Sequence, residues 1–399
     1  MDQTTLQQLS DSPLSWQYRA IPVEAHGLSP RQWLDSQPHV SDLPTPVVTL
    51  SESALRLNLH QMAQWAHHHN FSLAPHGKAT MSPQLWARQL TEGAVGMTVA
   101  NVAQARVAYQ CGVRLLIIAN QVVDPRDIAE ISTWVESGIQ VCHWVDSPEA
   151  VDALSSSSVE LSVCVEWGAP GGRSGTRSVR EALDVAARVH AHPKARLIGV
   201  AGYEGVITAG TGPEDLAAID DYLDELADLY RRVEFATERP MVSAGGSAYF
   251  DRVANRLGHL PAEGTEVVVR AGSYVAHDHG FYARLTPRAR SAPGPQLRAA
   301  LRSRSQVVSL PEPQLAIINA GRRDLPFDQG LPIPLDKPGL SMRNLSDQHG
   351  YLEGDTRQLS VGDVVELGIS HPCTTFDKWN LIPVIDDHGT VVDLIRTYF

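Results

Sequence analysis

Apolar and polar positions alternate with two different periods along most of this chain. Residues 1–44 form an N-terminal extension broken repeatedly by proline. Beyond it, short runs rich in Val, Ile and Leu take turns with longer segments whose apolar residues return every three or four positions, the signatures of strand and amphipathic helix. "TPVVTL" (45–50) reads as a strand, and residues 51–69 as a helix with Ser51 as N-cap. The strand candidates that follow are 72–77, 95–100, 115–119, 140–145, 161–167, 197–203, 241–246 and 266–271. Helical patterns separate most of them, among them "NVAQARVAYQCG", "SVREALDVAARVHAH" and "PEDLAAIDDYLDELADLYRRVE". Strand-then-helix repetition predicts a parallel sheet of the α/β class. Eight such units predict closure into a (β/α)8 TIM barrel over 45–285, with a doubly wound open sheet as the alternative.

After about residue 285 the texture changes. "LTPRARSAPGPQ" is rich in Pro and Arg and reads as a linker. The runs "RSQVVSL", "QLAIINAG", "DVVELGIS", "LIPVID" and "TVVDLIRTYF" then follow without long helices, separated by Gly, Pro, Asn and Asp. Residues 286–399 therefore read as a mainly β C-terminal domain, to which "TPVVTL" is assignable as well as to the barrel. The "SSSS" at 155–158 reads as a solvated loop.

Composition narrows the partners. With 399 residues, 43% of them hydrophobic, the chain can build one large and one smaller core. A net charge of −12 with scattered Lys and Arg argues against nucleic acid or an anionic membrane as main partner. No apolar run approaches the roughly 18 residues of a membrane span. The start, "MDQTTLQQLSDSPL", is polar and unlike a secretory leader. The four cysteines, Cys111, Cys142, Cys164 and Cys373, form no CxxC pair, so a reducing cytoplasm is expected.

A barrel carries its chemistry at the C-terminal ends of its strands. "SLAPHGKAT" puts Lys78 at the end of the first. A partly desolvated lysine there can lose its proton and form a Schiff base with a carbonyl. An ordinary lysine just past a strand is the competing reading. Strand seven ends "MVSAGGSAYF", where Gly245 and Gly246 let backbone N–H groups approach an anion and Ser247 adds a hydroxyl. Strand eight ends "VVVRAGSYVAHDHG", offering Gly272 and Ser273 beside it. The last two barrel loops commonly bind phosphate. Pyridoxal 5'-phosphate has both matching handles, an aldehyde and a phosphate. Arg173, in the loop "GAPGGRSG", suits a phenolic oxygen or a substrate carboxylate, and Tyr203 in "GYEG" a ring contact. His76 stands ready to support Lys78; His277 and His279 are either pocket or loop residues, and "HHH" at 67–69 is a solvated helix end.

"GISHPCTTFDKW" places His371 and Cys373 two apart, on one side of an extended segment. Imidazole and thiolate suit zinc, but two ligands would leave an open site. A coincidental pair in a Pro-containing turn is the alternative.

Together, "PHGKAT", "GYEG", "SAGGSA", "RAGSYV" and "SHPCTTFDKW" resemble the D-serine dehydratase and D-threonine aldolase family over about 45–399. These are fold-type III, alanine-racemase-like pyridoxal-phosphate enzymes. The resemblance implies Lys78 as cofactor lysine and Tyr203 as a cofactor contact. It implies Gly245, Gly246, Ser247, Gly272 and Ser273 as the phosphate cup, and Arg173 near the phenolic oxygen. His371 and Cys373 are implied as the ligands of Zn2+ or another divalent metal. The aldolase branch typically has His-x-Asp, so Cys373 favours dehydration of D-3-hydroxy amino acids such as D-serine, D-threonine or 3-hydroxyaspartate to a 2-oxo acid and ammonia. Retro-aldol cleavage to glycine and an aldehyde is the nearest rival, ahead of a racemase or a non-catalytic cofactor carrier. A homodimer is expected by the same resemblance.

Overall fold

The computed structural model describes residues 1–399, with the side chains of Gln3 and Ser10 outside the description. The strands of the first half are β1 (Val47–Ser51), β2 (Ser72–Leu73), β3 (Met97–Val99), β4 (Leu115–Gln121), β5 (Gln140–Val145), β6 (Leu161–Trp167), β7 (Ala195–Gly202), β8 (Met241–Ala244) and β9 (Glu266–Val269). β2 to β9 form one parallel sheet in the order β2-β9-β8-β7-β6-β5-β4-β3. Its two ends meet: the Val95 N–H donates to Leu73 O at 2.9 Å, the Thr98 N–H to Pro75 O at 2.9 Å, and the Thr98 hydroxyl to Ala74 O at 2.7 Å. This is the predicted barrel. The span 72–77 is corrected to two residues, because Pro75 interrupts the ladder and Gly77–Ala79 turns into a 3-10 helix.

Strand alternation sorts the side chains. Ala74, Ile117, Cys142, Trp144, Cys164, Ala201, Met241 and Val268 pack inside the barrel. Residues of the other parity join the larger core between strands and helices. Polar side chains start the helices where the sequence anticipates. Ser51 caps Glu52–His68, Asn101 caps Val102–Gln110 and Ser178 caps Val179–Ala191, each accepting a backbone N–H.

The second half contributes β10 (Leu301–Glu312), β11 (Leu315–Ile318), β12 (Ile333–Pro334), β13 (Leu340–Leu345), β14 (Gly350–Gly354), β15 (Val364–Gly368), β16 (Leu381–Ile385) and β17 (Val391–Arg396). β1 pairs antiparallel with β10 and parallel with β16, so "TPVVTL" belongs to this sheet. The barrel is thus inserted between two strands of the β domain. Among the described residues, no helix is long and apolar enough to cross a membrane.

Three local expectations change. The "LTPRARSAPGPQ" segment is anchored rather than loose: Arg290 forms a buried ion pair with Asp251 at 2.7 Å and also donates to Ala248 O and Leu285 O. Within "SSSS", Ser157 is buried and bonds the Ser132 hydroxyl at 2.8 Å. His67 and His68 are exposed as expected, whereas the His69 ring packs on Trp65 at 4.9 Å.

Candidate active site

The C-terminal ends of the barrel strands open into a cavity of about 270 Å³. Lys78, Arg173, Tyr203, Gly245, Gly246, Ser247, Gly272, Ser273, His371 and Cys373 all line it. Residues from six loops, 295 positions apart at the extremes (Lys78 and Cys373), converge there only because the barrel gathers its strand ends and the β domain closes over them.

Lys78 rides on the Gly77–Ala79 turn. Gly77 fits closely there, since a Cβ would stand 3.0 Å from the buried Trp86 ring and press on it. The ammonium contacts solvent through the cavity mouth, yet protein surrounds it. Burial and then Arg173 push its pKa below the usual 10.5, with Cys373 opposing. That is the direction a nucleophilic amine requires. Beside it, burial and Lys78 hold His76 neutral, and its Nδ1 is buried without a partner.

Arg173 sits on a loop that its neighbour Arg177 staples shut. Arg177 donates to Gly172 O, Arg173 O, Ser174 O and Gly175 O. The Arg173 guanidinium then stacks over the Tyr203 ring at 4.9 Å. Burial lifts the Tyr203 phenol to about 12, with Glu204 adding to the rise, so it stays a hydrogen-bond donor at neutral pH.

The glycine pair behaves differently from the expectation. The N–H groups of Gly245 and Gly246 donate to the fully buried Glu204 carboxylate, at 3.0 and 2.7 Å. The anion they approach is the chain's own. Gly246 also makes room for an aromatic ring, since a Cβ would meet Tyr203 at 2.5 Å. The donors free to converge on a ligand lie one strand over. The N–H groups of Gly272 and Ser273 point at Ser247 Oγ, at 3.2 and 3.1 Å, and a polar ligand can share or replace that hydroxyl. Gly272 is tightly held, with a Cβ position 2.5 Å from His76 O.

His371 and Cys373 do meet, but not through an extended segment. Pro372 is helical and Cys373–Phe376 forms a short helix, so a turn brings the two side chains together. The His371 Nδ1 faces Asp328 Oδ2 at 2.6 Å, and Thr374 donates to the other Asp328 oxygen at 2.6 Å. Burial depresses the imidazole, but hydrogen bonds to Cys373 and Asp328 override it and raise the pKa to about 9. Engaging Nδ1 leaves Nε2 as the nitrogen available to a metal, the usual carboxylate-oriented ligand arrangement. Cys373 Sγ lies 3.2 Å from Ser273 Oγ, which joins the metal-type pair to the barrel loops. Among the described residues, no group of three or more His, Cys, Asp or Glu is arranged around a common point. A metal here would keep open positions.

Several lining residues escaped the sequence reading. Arg270 is buried, donates to Gly202 O at 2.7 Å and to Ser243, and lies 5.5 Å from the Trp144 ring. Glu166 is buried and accepts from Gln121 at 2.6 Å. Both carried a signal: alternation aims Arg270 inward with Val268, and Glu166 inward with Cys164. Tyr282, whose ring lies 6.2 Å from His371, carried none, and neither did Asp328, which stands behind His371 rather than on the cavity wall. His277 and His279 lie outside the cavity lining; burial drops both to about 4.

The site and fold together place the chain. The family described as "Alanine racemase, N-terminal domain" matches residues 50–275, and "Putative serine dehydratase domain" matches residues 300–385. The chain belongs to this alanine-racemase-like, fold-type III family of pyridoxal-phosphate proteins. It is similar to a D-threonine aldolase of Arthrobacter sp, 28% identical over 88% of this chain and 91% of that one. A 3-hydroxy-D-aspartate aldolase of Paracoccus denitrificans (strain Pd 1222) is 26% identical over 85% and 88%. Among solved structures, a D-threonine aldolase from Filomicrobium marinum superposes with a TM-score of 0.78 at 25% identity, covering 90% of this chain and 97% of that one. D-threo-3-hydroxyaspartate dehydratase from Delftia sp. HT23 shares the fold, with a TM-score of 0.75 at 21% identity, covering 91% and 99%.

Proposed function

We propose that the chain is a pyridoxal-phosphate- and zinc-dependent lyase acting on D-3-hydroxy amino acids, with dehydration to a 2-oxo acid and ammonia as its reaction. The observation that carries this reading is the placement of the His371–Cys373 pair and Lys78 on the wall of one cavity. The residues present suit both groups. An amine of lowered pKa, converging N–H donors at Gly272 and Ser273, and an unpartnered His76 nitrogen suit a phosphorylated aldehyde. A carboxylate-oriented imidazole next to a thiol suits zinc.

When bound, pyridoxal phosphate supplies an electron sink for the substrate α-carbon, and zinc supplies a Lewis acid for the β-hydroxyl. The protein does the rest. The Lys78 amine, its pKa lowered by burial and by Arg173, takes the α-proton. Arg173, stacked on Tyr203, binds an oxyanion at the mouth. Asp328 fixes the His371 ring, and Ser273 holds the Cys373 thiol. His371 and Cys373 would hold the ion beside the β-hydroxyl, and the proton taken by Lys78, handed to the departing hydroxyl, would complete the water that leaves. A homodimeric assembly in the cytoplasm accompanies this reading.

Cleavage to glycine and an aldehyde is the second reading, favoured by the aldolase names of the 28% and 26% identical relatives. Incubation with D-serine, D-threonine and D-3-hydroxyaspartate, with and without chelator, separates the two. Chelator-sensitive 2-oxo acid and ammonia are expected. Glycine would establish the aldolase instead, and the L-enantiomer a racemase. Lys78→Ala is expected to lose the visible absorbance of the loaded protein. Retained absorbance would remove Lys78 from its role.

A further inference from the structure

The N-terminal extension has no part in the cavity, yet it grips the loops that carry the His–Cys pair. We propose that residues 1–44 act as a strap, and that Arg19 is a positioning residue holding the Asp328 loop and the His371–Cys373 loop in register for metal capture. The metal half of this proposal rests on the reading given above.

Arg19 reaches both loops at once. Its Nη1 donates to Asp324 Oδ1 at 2.6 Å, and its Nη2 donates to Lys378 O at 2.6 Å and to Arg323 O at 3.3 Å. Asp324 lies four residues before Asp328 and Lys378 five residues after Cys373. The guanidinium also stacks on Trp379, 4.0 Å from the ring centroid. Trp379 is itself buried and donates its indole N–H to Asp324 O at 2.9 Å. A planar fork with five donors and a stacking face can make all these contacts; an ammonium cannot.

The rest of the segment holds Arg19 in place. Tyr18 and Ser12 O accept from Arg396, Gln17 O accepts from Asn380 at 3.1 Å, and His39 bridges to Thr390. The two loops touch again nearer the cavity, where Ser370 bonds Gly330 O and Asp328 meets His371 and Thr374. Their outer ends are joined by the Asp324 side of Trp379 and by Arg19. Asp324 is only 2% exposed, so losing the guanidinium leaves its carboxylate to Gly321 N–H and Gln348 alone. The outer clamp then rests on the Trp379–Asp324 bond alone, and the His371–Cys373–Asp328 geometry is held more loosely at that end.

The test uses the full-length chain and two variants, Arg19→Ala and Arg19→Lys. Zinc affinity is measured by chelator competition and pyridoxal-phosphate affinity by absorbance. Arg19→Ala should weaken zinc by about tenfold, the low end of what losing a ligand's own hydrogen-bond partner costs, because Arg19 acts one step further out through the Asp328 loop, with cofactor affinity within about twofold of the native protein. Arg19→Lys, which keeps the charge but not the fork, should fall between. Unchanged zinc affinity, or an equal fall in both affinities, overturns the strap. A second readout needs no metal. Cys373 is the one cysteine that is not buried, since Cys111, Cys142 and Cys164 are. Its alkylation by iodoacetamide in the metal-free protein should be several-fold faster in Arg19→Ala, and an unchanged rate overturns the proposal. Absence of zinc binding by the native chain would sink the metal reading, while the alkylation rates still decide whether Arg19 holds the loops.

Discussion

Replacing Glu204 by Gln tests how the floor of the cavity is held. The carboxylate is fully buried and accepts the Gly245 and Gly246 N–H groups at 3.0 and 2.7 Å. Hydrogen bonds to an ionised acceptor contribute about 1.5–3 kcal/mol each, and an orphaned buried donor costs about 1–3 kcal/mol. Gln keeps one oxygen but turns its NH₂ against the other N–H. One charge-assisted bond is therefore lost and one donor stranded, together about 4 kcal/mol. Removing a desolvated charge returns part of this, about 2 kcal/mol. The net expectation is a loss of about 2 kcal/mol concentrated in this turn. At about 1.4 kcal/mol per tenfold, amide exchange across residues 241–250 should quicken by roughly 30-fold. Hydrogen exchange read by mass spectrometry on the cofactor-free chain measures it. Unaltered exchange in that peptide would refute the assignment of Glu204 as the acceptor that pins the glycines.

Two further outcomes follow from buried charge. Arg290 and Asp251, each about 6% exposed, form an ion pair whose cation also satisfies Ala248 O and Leu285 O. Arg290→Ala strands a buried carboxylate and should cost about 3–5 kcal/mol in denaturant unfolding; a loss below about 1 kcal/mol would contradict the burial argument. The pH dependence of the metal-free protein has two limbs. His371, raised from 6.5 to about 9, contributes stability that is complete below pH 6.5 and lost as pH rises through 9, about 3 kcal/mol in all. His143, His277 and His279, dropped from 6.5 to about 4, stay neutral when folded, so the unfolded chain gains protons first and stability falls as pH drops from 6.5 toward 4. Thermal unfolding should therefore peak near pH 6.5, and a flat profile from 6.5 to 9 would refute the His371 assignment.

Periodicity made the barrel readable before any contact was known. Runs such as "LSVCVEWG" are apolar on both faces because helices cover one side and the barrel core the other, and that pattern is local. The lysine, the Gly-Ser loops and the His-x-Cys pair were readable for the same reason: each is a short stretch at a strand end or turn. What stayed hidden depends on which distant loop folds over which. Asp328 orients a histidine 43 residues later, and Arg19 meets Asp324 across 305 residues. No spacing rule links such partners. Glu204 misled in a subtler way, since "GYEG" and "SAGGSA" are each legible, but only their proximity reveals that one consumes the donors of the other. Arg270 and Glu166 were readable from strand parity, but a charge at the end of an apolar run is easily taken for a loop residue.

The chain order explains why a site split between two domains can stay in register. The β sheet takes β1 from before the barrel and β10 to β17 from after it, with Val47 opposite Arg304 and Leu50 opposite both Leu301 and Val384. The barrel therefore leaves and re-enters one sheet at neighbouring strands. At the exit the Ser51 N–H donates to Ala300 O at 2.9 Å, and at the return the Ala300 N–H donates to Ala276 O at 2.7 Å. A single linker would let the β domain swing about one hinge; two adjacent crossings joined by these bonds remove that freedom. The Ser273–Cys373 contact lies close to the return crossing, three residues before Ala276. Lys78 and Cys373 thus face one cavity because the insertion fixes their separation, so an interaction that depends on both ends of a small ligand needs no closing motion of the domains to assemble it.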